Sequence, residues 1–106
     1  MTSAPNMPLS KTRRVDNLLF LSGELGFANN GTIPEGIAAQ TRNCLDRIKA
    51  TLSDEGPELS NVVSCTCYLT DKADFAAFNA IYAKYFEDPL PVRTTVLSGL
   101  LLDARV

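Results

Sequence analysis

Asp16-Asn17-Leu18-Leu19-Phe20-Leu21-Ser22-Gly23 is the stretch that decides the fold. Four apolar residues stand between turn formers, with Asp16-Asn17 before them and Ser22-Gly23 after. Side chains on a strand alternate between faces, so Leu18 and Phe20 line one face and Leu19 and Leu21 the other. Both faces are apolar, the pattern of a strand buried from two sides. Upstream, Lys11–Val15 reads as a short partner strand, which predicts a hairpin across Asp16-Asn17. Met1–Pro8, polar and proline-bearing, reads as a loose leader.

Downstream, Gly26–Gly36 carries Asn29-Asn30-Gly31 and Pro34 and is expected to be a loop. Between Gly36 and Gly56 the period changes. Ile37, Thr41, Cys44, Leu45, Ile48 and Leu52 recur at helical spacing, with Arg42, Asp46, Arg47 and Lys49 on other faces, and Gly56-Pro57 ends the helix. Asn61–Thr70 alternates as a strand, with Val63, Cys65, Cys67 and Leu69 on one face and Val62, Ser64, Thr66 and Tyr68 on the other. Asp71 is a candidate cap for a second helix from Asp74 to Phe86, its stripe formed by Phe75, Phe78, Tyr82, Tyr85 and Phe86. Pro89 and Pro91 break that helix, Arg93–Leu97 reads as a strand, and Ser98–Arg105 as a leucine-rich loop.

The order β-β-α-β-α-β predicts an α+β two-layer sandwich, a mixed sheet with two helices on one face. Two helices cover one side of such a sheet. The apolar strand Leu18–Leu21 needs a second cover, and self-association is the simplest source, with Val62, Thr66 and Tyr68 helping to line the interface.

Composition narrows the function. The 106 residues suit a single domain, and 45% hydrophobic with 21% charged residues is globular rather than disordered. A net charge of −2, with no basic run longer than Arg13-Arg14, argues against nucleic acid. No apolar run approaches membrane-spanning length, and Met1–Ser10 lacks the apolar core of a signal peptide. Cys44, Cys65 and Cys67, an odd number without framework spacing, read as reduced thiols in the cytoplasm, small buried side chains rather than metal ligands or redox groups. The chain has no histidine. That excludes Ser-His and Cys-His mechanisms and leaves carboxylates, Arg, Tyr, hydroxyls and thiols to do any chemistry.

In order and spacing, the chain resembles the Rid (reactive intermediate deaminase, YjgF-like) family. The matching pieces are Asn17–Gly23, Gln40-Thr41-Arg42-Asn43, Asn61-Val62-Val63 leading to Tyr68–Asp71, Phe75–Phe86 with Asn79 and Tyr82, and Pro91–Val96 running on to Val106. The resemblance implies a fold like a small bacterial chorismate mutase, assembled as a homotrimer with ligand clefts between subunits. It implies hydrolysis of reactive 2-imino acids, such as 2-iminobutanoate and 2-iminopropanoate, to 2-keto acids and ammonia without cofactor or metal. Arg93 would grip the substrate carboxylate, a role that suits a planar, permanently charged guanidinium. Backbone groups near Gly23 and Thr95 would position the imine carbon, and Ser22 and Asn79 would line the pocket. A glutamate on the final strand would handle the attacking water, and a tyrosine near the amino terminus would close the site.

Two departures accompany the match. Where the family tends to read Gly-Pro-Tyr-Ser, this chain has Met7-Pro8-Leu9-Ser10, so Leu9 replaces the tyrosine. The family's acid lies beyond the position of Val106, so the expectation is one domain over 1–106 that lacks most of its final strand. Glu24, beside the Ser22-Gly23 turn, is the only nearby carboxylate in the sequence to replace it. Tyr82 and Tyr85 are most simply core or interface aromatics. Two functions stand: imine deaminase, or a non-catalytic trimeric module holding 2-keto acids or amino acids. Nucleic-acid cleavage is disfavoured by the acidic charge and the absence of histidine.

Overall fold

The structure, a computed structural model, describes residues 7–101 and 104–106. Most of the expected leader and positions 102–103 of the leucine-rich loop lie outside the described residues. Strands β1 (Thr12–Val15) and β2 (Leu18–Leu21) form the expected antiparallel hairpin, with Thr12 opposite Leu21 and Val15 opposite Leu18. Asp16 makes the reversal at φ 52°, a left-handed conformation that a short polar side chain tolerates.

Helix α1 (Ile37–Glu55) has nearly the extent its periodicity predicts. It buries Ile37, Thr41, Leu45 and Leu52, and the hydroxyl of Thr41 donates back to the Ile37 carbonyl. Gly56, at φ 108°, closes it by donating its N–H to the Leu52 carbonyl. The segment before α1 passes so close that a Cβ on Gly26 would overlap the backbone of Gln40.

Strands β3 (Ser64–Leu69) and β4 (Val92–Leu97) pair in parallel, with Cys65 beside Arg93 and Cys67 beside Thr95. Between them, Asp71 caps a short 3-10 turn by accepting the Ala73 N–H at 2.9 Å, and α2 (Phe75–Tyr82) follows. This helix is shorter than expected: it stops at Tyr82 because the next residues form turns, which carry Phe86 back into the core. Phe78, Tyr82 and Phe86 pack with Ile37, Leu45, Leu69 and Val106, whereas Phe75, expected in the same stripe, remains exposed.

Two further expectations change. Among the described residues the strands form two separate two-stranded ladders rather than one continuous mixed sheet. Next to β3, the 104–106 segment supplies one backbone bond, from Thr70 N–H to the Arg105 carbonyl, too little to extend a ladder. Val62 packs on the core and Val63 is exposed, the reverse of the predicted alternation. The reason is local: Leu59–Asn61 is a 3-10 turn that Val62 caps, and extended pairing begins only at Ser64.

The helices cover one side. Thr12 and Arg14 bond to Glu55 of α1, which sets their face of the hairpin, shared with Leu19 and Leu21, toward the helix. Leu18 and Phe20 therefore point away and are 56% and 55% exposed. Thr66, Tyr68, Val92, Thr94 and Val96 are likewise exposed, on the face of the β3–β4 pair opposite its half-buried Cys65, Cys67, Arg93 and Thr95. Among the described residues, no helix is long and apolar enough to cross a membrane.

Candidate functional site

Arg93 sits where β4 meets α2. Because it pairs in register with Cys65 on the helix side of the ladder, its side chain runs under the helix. The stripe Phe75, Phe78, Tyr82 meets it there: the guanidinium carbon lies 4.7 Å from the Tyr82 ring centroid, 5.7 Å from Phe78 and 5.8 Å from Phe75. Aromatic faces attract a cation and favour a guanidinium laid flat upon them. Among the described residues Arg93 forms no ion pair and no side-chain hydrogen bond. The other cation–carboxylate pairs are Arg14–Glu55, Arg47–Glu24, and Arg105 with Asp71 and Asp74. A half-buried guanidinium is thus oriented without being neutralised.

Arg93 opens onto a cleft of about 540 Å³ lined also by Asn79, Tyr82, Phe86, Glu87, Asp88 and Leu90. Asn79 is exposed on α2 and presents its amide to this cleft rather than to the core. Thr95, two residues along β4, lines a separate hollow of about 180 Å³ with Lys72, Phe75 and Leu97. Ser22 and Gly23 line neither: the Ser22 hydroxyl donates to the Ser10 carbonyl in the hairpin layer. A single chain therefore brings Arg93 and Asn79 together, sets Thr95 beside them, and leaves Ser22-Gly23 elsewhere. Glu24 is committed to another task, an ion pair at 2.9 Å with Arg47 of α1.

Behind the cleft, the Tyr82 hydroxyl is buried without a hydrogen-bond partner. Burial foremost, then the neighbouring Cys65, raises its pKa, while Arg93 opposes the shift. Burial likewise pushes the Cys67 thiol up to about 11, aided by Cys65 and opposed by Arg93. The Cys67 thiol is thus neutral at physiological pH and serves as packing. Among the described residues, no group of three or more His, Cys, Asp or Glu is placed to hold a metal ion. Sequence reasoning missed the aromatic bed of Arg93 and the carboxylates Glu87 and Asp88. The i, i+3, i+7 spacing of Phe75, Phe78 and Tyr82 was visible, but not the arginine it would meet.

Fold and site define a small α+β protein with a cleft built on one uncompensated arginine between a parallel strand pair and a short helix. The chain belongs to the Rid/YjgF-like family: the family model described as endoribonuclease L-PSP matches residues 1–106. It is 38% identical over 102 residues to "Reactive Intermediate Deaminase A, chloroplastic" of Arabidopsis thaliana, covering 93% of this chain and 54% of that protein. It is 38% identical, also over 102 residues, to "3-aminoacrylate deaminase RutC" of Acinetobacter baylyi, covering 94% of this chain and 81% of the relative. Crystalline RidA from an Antarctic Psychrobacter superposes with a TM-score of 0.87 at 31% identity, over 95% of this chain and 83% of that one. The chain thus spans about half the length of the plant relative and most of the bacterial ones.

Proposed function

We propose that this protein binds small 2-imino and 2-keto acids through Arg93 and hydrolyses the imines, such as 2-iminobutanoate and 2-iminopropanoate, to 2-keto acids and ammonia. The observation that carries this reading is the guanidinium itself, half-buried on three aromatic rings and unpaired among the described residues. A carboxylate placed there gains two parallel charge-assisted hydrogen bonds in a partly desolvated setting. The names of the plant and Acinetobacter relatives, both deaminases, support the same chemistry. In the reaction, water adds to the imine carbon, and the carbinolamine then expels its nitrogen as ammonia while its hydroxyl proton is lost. Asn79 would hold the bound acid, and Ser22, Gly23 and Thr95 would join the site where subunits meet in a homotrimer. Net charge −2 and the absence of histidine weigh against ribonuclease chemistry despite the family model's description. Three free thiols suit the cytoplasm.

Titration calorimetry with 2-ketobutyrate on wild type, Arg93→Lys and Arg93→Ala tests the anchor. Lysine keeps the charge and loses the planar fork, so both variants should weaken binding by about 2–5 kcal/mol. Equal affinity in all three removes Arg93 from the site. The second reading, a non-catalytic module for 2-keto acids or amino acids, is favoured by the engagement of Glu24 with Arg47, which withdraws the sequence's candidate acid. Binding without faster 2-ketobutyrate release in a coupled threonine dehydratase assay would select it.

A further inference from the structure

The Arg93 cleft carries charge of both signs. On the segment leaving α2, Glu87 and Asp88 line the same cleft as the guanidinium, both exposed. Neither lies within ion-pair distance of Arg93 or of another cation among the described residues. The two signs therefore share one cleft without cancelling, and each is left for a ligand. Tyr82, 8% exposed, lines the cleft with them. A ligand that is only a carboxylate satisfies the guanidinium but adds negative charge in front of two carboxylates. A ligand with a cationic nitrogen satisfies both ends.

We propose that the cleft selects small carboxylates that also carry a protonated nitrogen, zwitterionic amino acids and the protonated form of imino acids, with Glu87 and Asp88 facing the nitrogen. This rests on Arg93 holding the carboxylate, and it adds a specificity that Arg93 alone cannot supply. It gives the amide of Asn79, on the same wall, a polar ligand atom to meet from the side. For an imine substrate, nearby carboxylates favour the protonated, electrophilic form, the one that water attacks most readily.

The test is titration calorimetry at low and moderate salt with butyrate, 2-ketobutyrate and 2-aminobutyrate, on wild type and the Glu87→Gln/Asp88→Asn double variant. Both side chains are exposed, so the variant should fold, which circular dichroism would check. Wild type should bind 2-aminobutyrate more tightly than butyrate by roughly 3- to 10-fold, the scale of two solvent-accessible charge pairs, and less so as salt rises. The double variant should lose that preference while binding 2-ketobutyrate as well or a few-fold better. If 2-ketobutyrate binds in an Arg93-dependent way but 2-aminobutyrate is no better than butyrate, the selection is overturned and the anchor stands. A preference that survives in the double variant also overturns it. Failure of all three ligands to bind removes the anchor and this proposal together.

Discussion

Gln40 accepts the backbone N–H of Arg105 at 2.8 Å, joining the first turn of α1 to a residue 65 positions later. The same carboxamide donates to the Pro34 carbonyl at 2.8 Å, and the residue is only 3% exposed. Arg105 is held at its other end by Asp74 at 2.6 Å and Asp71 at 3.4 Å, while its carbonyl accepts from Thr70. One amide thus links the loop before α1, the end of β3 and the start of α2.

Gln40→Leu, similar in size but without polar atoms, should lower stability because the partly buried Pro34 carbonyl and Arg105 N–H lose their partners. Each such orphan costs about 1–3 kcal/mol. Urea unfolding should show a lower midpoint with an unchanged slope. A midpoint within error of wild type would mean that water replaces the amide at no cost.

Tyr82→Phe should behave in the opposite way. It keeps the ring that stacks 4.6 Å from Phe86 and lies beneath Arg93, and deletes a hydroxyl buried without a partner. Removing an unsatisfied buried group should hold stability level or raise it by about 1 kcal/mol. A clear loss in a thermal melt without ligand would show that Cys65 or a water satisfies the hydroxyl.

The exposed pair Leu18 and Phe20 should form part of a subunit interface. Sedimentation of wild type at micromolar concentration is expected to give about three chain masses, as in a closed cyclic assembly. Leu18→Glu with Phe20→Glu places charges in that surface without touching the helix-facing Leu19 and Leu21. The variant should run as a folded monomer. A wild-type monomer would remove the between-subunit site.

Two thiols should make stability fall at alkaline pH. Burial, its largest cause, raises the Cys44 pKa to about 12, with help from Glu24, and raises that of Cys67 to about 11. Well below pH 9, the ordinary thiol value, both are protonated whether folded or unfolded, and they contribute no pH dependence. As pH rises from 9 towards 11, the unfolded chain releases these protons first, so folding stability drops. Denaturant midpoints at pH 8 and pH 10.5 should differ by less in a Cys44→Ala/Cys67→Ala variant than in wild type. Equal slopes would assign the alkaline loss to other groups.

The extents of β2 and α1 follow from hydrophobic period and turn chemistry, which act over a few residues and are written in the chain. Arg93 was singled out as the candidate anchor through the resemblance of Pro91–Val96 to the family. The sequence also predicted cover on both faces of Leu18–Leu21, since exposed apolar surface is costly in water; the helices supply one cover, and Leu18 and Phe20 on the other face remain exposed. Other features were decided only in three dimensions. Val62 turned inward because a 3-10 turn, stabilised by reciprocal bonds between Glu58 and Asn61, delays the strand to Ser64. Glu24 left the site because α1 places Arg47 within 2.9 Å of it, a pairing across 23 positions that periodicity cannot express. Glu87 and Asp88 entered the cleft because the parallel β3–β4 pairing returns the chain from α2 to lie beside Arg93. Local propensity sets what each segment becomes; which side chains meet is decided by packing, as in the pairing of Glu24 with Arg47 across 23 positions, which no short window of residues encodes.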